Sequence, residues 1–303
     1  MTARRTYKKL DGLIAAPFTA FDRKGAVNLG MIKKQAALLI KHDVIGAYVC
    51  GTTGEGVSCS VAERKAVLEE WAAQASGRLF LIAHVGALSL GDARELAAHA
   101  QRIGADATAA VPASFFKPGT VETLVEYVGA IASAAPGLPF YYYHTTMSGV
   151  NLSMPKFLEA ADGRVPNLAG LKFNSPDLYE FQNCVRACGG RYDIVWGVDE
   201  SYAGAIVLGA RAAIGSTYNY AAPIYHGIRK DVEKGDFEAA RAGMAKVCRI
   251  VDILFRYGGV AAGKAMMAVH GIEAGDVRLP LKALTAAEKR AIAAELRGIL
   301  EIE

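Results

Sequence analysis

Eight short apolar runs, at residues 13–18, 46–50, 79–85, 107–111, 140–144, 169–173, 194–198 and 212–216, are each followed by a turn and an amphipathic stretch. The runs are apolar at nearly every position and rich in alanine or β-branched residues, as strands covered on both faces are. The amphipathic stretches open near Asn28, Ser60, Ser89, Thr120, Ser153, Asp177, Tyr202 and Pro223. Ser60 and Glu63 have the spacing of a capping box, in which the hydroxyl accepts from a first-turn amide while the carboxylate reaches back. Strand-helix alternation specifies a parallel sheet with helical crossovers, and eight is the number at which such a sheet closes. The expected fold is α/β, a (β/α)8 TIM barrel.

After the eighth unit the alternation stops. Residues 237–257, 260–270 and 285–300 read as helices only, the last opened by a second capping box at Thr285 and Glu288. No proline- or serine-rich linker precedes them. The expected organisation is a catalytic barrel over residues 1–233 and a three-helix extension over residues 234–303 packed on it, and 303 residues suffice for both.

The charge balance, 34 basic against 30 acidic side chains, carries little sign of a nucleic-acid or membrane partner. Cys50, Cys59, Cys184, Cys188 and Cys248 are odd in number and contain no Cys-x-x-Cys pair, so free thiols in a reducing cytosol are expected. No histidine joins Cys184 and Cys188 at metal-ligand spacing, and no zinc site is expected. The basic start of the chain is not followed by an apolar stretch of signal type, because Asp11 and Gly12 interrupt it, and no run is long enough to span a bilayer. A soluble, cytoplasmic protein is expected.

Chemistry concentrates where strands end, since the active site of such a barrel lies at the carboxyl ends of its strands. Lys172 stands near the end of the sixth run, flanked by Leu168, Ala169, Leu171 and Phe173, and Tyr143 stands near the end of the fifth. A single lysine is usually a solvated charge. Paired with a tyrosine on the neighbouring strand, it becomes a nucleophile beside a proton shuttle, which is what Schiff-base chemistry on a ketone requires. The second run leads into Gly51-Thr52-Thr53-Gly54-Glu55-Gly56. Glycines there let amides turn toward a ligand, Thr52 and Thr53 add hydroxyls, and the dipole of the following helix is expected to favour a carboxylate or phosphate.

In this order and spacing, Gly51 to Glu55, Tyr143 and Gly170-Leu171-Lys172 resemble the dihydrodipicolinate synthase and N-acetylneuraminate lyase superfamily of Schiff-base aldolases. Gly197-Val198-Asp199-Glu200 and Gly215-Ser216-Thr217-Tyr218-Asn219-Tyr220 resemble the animal-type lyases within it, and the likeness runs from about residue 10 to 281. The resemblance implies that Lys172 attacks the C2 ketone of open-chain N-acetylneuraminate, that Thr52 and Thr53 hold its carboxylate, and that Tyr143 takes the proton from the C4 hydroxyl. Cleavage would release N-acetylmannosamine and pyruvate with no metal or cofactor. Asp199 and Glu200 carry over as acceptors for hydroxyls of the sugar tail, with Gly197, Ser216 and Asn174 lining the pocket. A homotetramer is likewise implied. His144 reads as a packing residue.

Three departures limit the carry-over. The lyases usually continue after the tyrosine with an Ile-Pro-Ala type turn, whereas this chain has His144-Thr145-Thr146-Met147-Ser148-Gly149, one residue shorter and without the proline. Asn174 stands where lyases tend to carry Ser or Thr, and Phe115 stands where many bacterial relatives place a relay tyrosine, so proton transfer is expected to rely on Tyr143 and water. Met147 occupies the place of the substrate-carboxylate arginine of dihydrodipicolinate synthase, which disfavours that activity. Two other readings use the same residues: an aldolase for a 2-keto-3-deoxy sugar acid, and a binding protein for a 2-oxo acid that has lost catalysis. Intact Lys172 and Tyr143 argue against the latter.

Overall fold

The computed structural model describes residues 7–75 and 77–302. Every apolar run becomes a strand: β1 (Gly12–Ala15), β2 (Gly46–Val49), β3 (Phe80–His84), β4 (Ala107–Ala110), β5 (Phe140–Thr145), β6 (Leu168–Asn174), β7 (Asp193–Trp196) and β8 (Ala212–Gly215). After them in turn come α1 (Ile32–Lys41), α2 (Val61–Ala75), α3 (Leu90–Arg102), α4 (Val121–Ala132), α5 (Met154–Ala161), α6 (Leu178–Gly190), α7 (Tyr202–Val207) and α8 (Tyr218–Lys234). Neighbouring strands pair in parallel, and β1 pairs with β8 from Gly12 opposite Ala212 to Ala15 opposite Gly215, which closes the barrel.

Side chains along each strand alternate between two compartments. Ile14, Tyr48, Ile82, Tyr141 and Val195 fill the barrel interior. Leu13, Val49, Leu81, Phe140 and Trp196 point outward and are covered by the helices.

β6 breaks this alternation in a way that decides the site. Leu168 and Lys172 are an even number of residues apart and would share a face on a regular strand, yet Leu168 belongs to the outer layer while the Lys172 amine lies over inner rings. The register between β5 and β6 slips, with Phe140 opposite Leu168 but Tyr141 opposite Gly170. This bulge re-phases the strand and turns Lys172 inward. Gly170 makes it possible, because a Cβ there would overlap the Asp193 carbonyl of β7.

Both expected capping boxes form, at Ser60 with Glu63 and at Thr285 with Glu288. α8 differs from expectation in starting at Tyr218 rather than near Pro223. Ala221 leaves the helical region (φ −129°, ψ 15°) and the helix bends there. Pro223, which has no N–H to give, falls in the first turn beyond the bend. The chain ends in α9 (Phe237–Tyr257), α10 (Val260–Met266) and α11 (Ala286–Leu300), with a 3₁₀ turn at Met267–His270. Gly258, at φ 83°, takes the left-handed conformation that ends α9 and lets α10 turn back. Among the described residues no helix is long and apolar enough to cross a membrane.

Candidate active site

A cavity of about 420 Å³ opens at the carboxyl ends of the strands and is lined by Lys172, Tyr143, Thr52, Thr53, Asn174, Gly197, Asp199, Glu200 and Ser216. These are all of the site residues expected from sequence. The extension adds a wall, since Val251, Leu254 and Phe255 of α9 and Gly259 and Val260 beyond it also line the space. α9 and α10 are therefore part of the site as well as a covering of the barrel.

Lys172 and Tyr143 are cross-strand partners in the β5–β6 ladder. The Lys172 amine lies 4.2 Å from the Tyr143 ring centroid and 4.5 Å from that of Tyr48, and it forms no ion pair or hydrogen bond with the described residues. Tyr48 comes from the inner face of β2 and is fully buried, with its hydroxyl unbonded. His84, behind these rings, is held at both nitrogens: Nδ1 lies 3.1 Å from the Cys50 carbonyl and Nε2 accepts the Val111 N–H at 3.2 Å. That pairing assigns a neutral Nδ1–H tautomer. Burial, with Arg64 and Lys172 adding like charge, pushes the ring's pKa well below the usual histidine range. His144 points out of the barrel, lies against Phe173 at 5.1 Å, and is held by burial to a pKa of about 4. It packs, as expected.

The glycine-rich loop is rigid for steric reasons. Cys50 and Glu55 both adopt φ above 45°, at 59° and 49°, a left-handed conformation that side chains tolerate poorly. Between and beside them, a Cβ at Gly51 would come within 2.7 Å of the Tyr48 ring, and one at Gly56 would overlap the Cys50 carbonyl. The loop closes on itself through Glu55 N–H to Thr52 C=O at 3.0 Å and Gly56 N–H to Gly51 C=O at 3.1 Å, while Thr19 Oγ1 donates to Gly54 C=O at 2.6 Å. The Thr52 and Thr53 amides bond to no described residue, and Thr52 Oγ1 is 3.5 Å from the Tyr143 hydroxyl. Unbonded amides and hydroxyls on the wall of the cavity that holds Lys172 are donors of the kind that can hold an anion. The amino terminus of α2 is separated from the loop by a 3₁₀ turn at Gly56–Ser58, and its capping box engages the amides of Ser60 and Glu63.

In the turn after β7 Asp199 is buried, and Glu200 beside it is exposed; both line the cavity. Asp199 Oδ2 accepts the Thr217 N–H at 3.0 Å and the Thr217 hydroxyl at 2.7 Å, whereas Oδ1 has no partner. Burial pushes this carboxyl's pKa up; the Thr217 bonds and the Lys172 charge pull it back. Gly215 leaves room for the carboxylate, since a Cβ there would overlap Oδ1, and Gly197 is equally confined by Asn174. Asn174 donates to Thr145 Oγ1 at 3.0 Å, which ties it to the altered turn after β5. Met147 of that turn is 76% exposed and reaches the cavity mouth.

Sequence reading missed Lys264, although a lone lysine in the apolar run of α10 is the same signal that singled out Lys172. Its amine, fully buried, pairs with Glu55 at 2.6 Å and donates to the Asp276 carbonyl at 2.9 Å. Glu55 Oε2 in turn accepts the Arg278 N–H at 2.9 Å, so the extension clamps the cradle loop. Lys264→Met would leave an unpaired carboxylate in the interior. It should destabilise the protein by about 3 to 5 kcal/mol in urea unfolding, much of which Glu55→Gln should restore in the double variant. A loss under about 1 kcal/mol would mean that the pair is not buried in solution as it is here.

Residues 9–299 match the model of the dihydrodipicolinate synthetase family. The structure of N-acetylneuraminate lyase (sialic acid aldolase) from Aliivibrio salmonicida is 52% identical with a TM-score of 0.96, covering 98% of this chain and 99% of that one. Proteus mirabilis N-acetylneuraminate lyase is 50% identical with a TM-score of 0.95, covering 96% of this chain and 99% of that one. N-acetylneuraminate lyase of Rattus norvegicus is 39% identical over 284 residues, 92% of this chain and 89% of the relative. The likeness to animal lyases thus extends, at higher identity, to these bacterial ones. On a family match that spans the barrel and its helical extension alike, the chain belongs to the dihydrodipicolinate synthetase family.

Proposed function

We propose that the chain is an N-acetylneuraminate lyase, cleaving N-acetylneuraminate reversibly to N-acetylmannosamine and pyruvate through a Schiff base on Lys172. The observation that carries this reading is the pairing of Lys172 with Tyr143 in one cavity with the unbonded amides of Thr52 and Thr53 and the Asp199 carboxylate. In open-chain substrate the carboxylate sits on the Thr52 and Thr53 amides and hydroxyls, which puts the C2 ketone beside the amine. The amine adds to C2 and water leaves, giving an iminium. Tyr143 takes the C4 hydroxyl proton as it passes its own phenol proton to water, the C3–C4 bond breaks, and its electron pair passes into the iminium to form an enamine. Protonation at C3 and hydrolysis release pyruvate and restore the amine. Asp199, Glu200 and Ser216 receive the hydroxyls of the sugar tail.

A homotetramer in a reducing cytosol fits this reading. Val57, Leu88, Phe115, Phe116, Met147 and Leu279 are large, exposed and grouped on loops at the carboxyl end of the barrel, a surface of the kind another subunit covers, and the described cysteines are free.

Asp199 is the residue that separates substrates. A lost charge-assisted hydrogen bond is worth about 1.5 to 3 kcal/mol, so Asp199→Ala should lower kcat/KM for N-acetylneuraminate roughly 10- to 150-fold while pyruvate trapping on Lys172 survives. The measurement is pyruvate release from N-acetylneuraminate and from 2-keto-3-deoxygluconate. Preference of the wild type for the shorter acid, or an Asp199→Ala variant that still cleaves N-acetylneuraminate normally, would assign the site to a different sugar acid.

A further inference from the structure

Glu55 takes the left-handed conformation, at φ 49°, although it stands between Gly54 and Gly56. Glycine would adopt that backbone without steric cost, so a glutamate persists there only if its surroundings hold it. Its side chain is 2% exposed and does not line the cavity. It runs instead to the extension, where Oε1 pairs with the Lys264 amine at 2.6 Å and Oε2 accepts the Arg278 N–H at 2.9 Å. Oε1 has no other partner among the described residues.

The backbone of the same residue controls the loop. In a trans peptide unit the carbonyl of one residue and the N–H of the next point in opposite directions, and the units from Gly51 to Thr53 are trans. The Glu55 N–H holds the Thr52 carbonyl, and the Gly56 N–H holds the Gly51 carbonyl. Each bond therefore turns the opposite end of its peptide unit, the Thr53 N–H and the Thr52 N–H, away from the loop interior. Thr52 is exposed and Thr53 half-buried, and both line the cavity. α10 supports the neighbouring wall as well: Phe18, which lines the cavity, packs so closely on Gly263 that a Cβ there would come within 2.4 Å of its ring.

We propose that Glu55 and Lys264 are positioning residues for recognition of the 2-oxo acid carboxylate: their ion pair fixes Glu55 in its left-handed conformation, and Glu55 orients the Thr52 and Thr53 amides toward the ligand. The proposal rests on the lyase reading, from which it takes the carboxylate that these amides receive, and deepens it. It gives the helical extension a part in substrate affinity through two residues that do not reach the cavity.

The test traps two ketones on Lys172 with borohydride, pyruvate and acetone, which has no carboxylate. The wild type is compared with Glu55→Gln and with the double variant Lys264→Met/Glu55→Gln, which removes both charges so that neither is left buried and unpaired. Half-saturation by pyruvate should rise about tenfold in the double variant and about threefold in Glu55→Gln, whose amide oxygen can still accept from Lys264. Acetone trapping should stay within about twofold in both, because it needs the amine and not the loop amides. KM for N-acetylneuraminate should rise in step with the pyruvate value with little change in kcat, since the carboxylate is held alike before and during bond cleavage. Pyruvate half-saturation unmoved in the double variant would make the ion pair a stabilising contact only and overturn positioning. Pyruvate and acetone trapping that worsen together would show general distortion of the site and overturn it too. Should the double variant fail to fold, Glu55→Gln, which keeps the shape of the side chain, decides by the same two ketones. A wild type that traps pyruvate but leaves N-acetylneuraminate uncleaved would overturn the lyase reading alone, whereas one that traps no pyruvate would overturn both.

Discussion

Lys172→Ala should abolish both turnover and the borohydride-trapped pyruvyl adduct that the wild type carries on the peptide containing Lys172. Among the described residues lining the cavity Lys172 is the only lysine, so no second amine can take over. Lys264, the other buried lysine, is committed to Glu55 and the Asp276 carbonyl. Without imine formation the C3–C4 bond has no electron sink, and cleavage loses its pathway as well as its rate. Mass spectrometry of the trapped, digested protein is the check. A pyruvyl label on any other lysine, or retention of trapping in Lys172→Ala, would remove the assignment. Because the amine reaches the cavity only through the bulge at Gly170, Gly170→Ala should mimic part of this loss: the added Cβ must displace the Asp193 carbonyl of β7, and the strand cannot do that without moving Lys172.

The barrel was legible in the sequence because its strands are covered on both faces, which makes them apolar throughout and easy to count. The same property hides which way each side chain points. A strand such as residues 168–174 carries no polar alternation from which to read a face, so the inward direction of Lys172 depends on a bulge that only pairing with β5 reveals. The expected residues that line the cavity stand where a motif meets a strand end, as with Thr52, Tyr143, Lys172 and Asp199. Lys264, which was missed, acts through another residue, Glu55. Thr217 lay inside a stretch already singled out, yet a threonine at a helix start reads as a cap, and only the structure shows the cap unused.

Tyr143→Phe should lower kcat by at least roughly 10²-fold, the usual consequence of losing a general acid-base group, while leaving pyruvate trapping largely intact. The split arises from the different demands that each step makes of the hydroxyl. Imine formation needs the amine and the carboxylate cradle, both present in the variant, and phenylalanine preserves the ring that flanks Lys172 at 4.2 Å. Bond cleavage needs a group to take the C4 hydroxyl proton, and the Tyr143 hydroxyl, 3.5 Å from Thr52 Oγ1, lies at the mouth of the cradle where that proton appears. His84 cannot substitute, because both of its nitrogens are engaged and burial keeps it neutral. Phe115 has no hydroxyl and is 80% exposed, turned toward Phe116 rather than Tyr143. The rival is Tyr48, whose hydroxyl is unbonded but sealed in the barrel interior beneath the amine, where burial raises its pKa far above the ordinary phenol and makes it a poor shuttle. Single-turnover kinetics with N-acetylneuraminate separate the steps: Tyr143→Phe should accumulate imine and release pyruvate slowly. A near-wild-type release rate would show that another group moves the proton, and Tyr48→Phe would then be the variant that loses it.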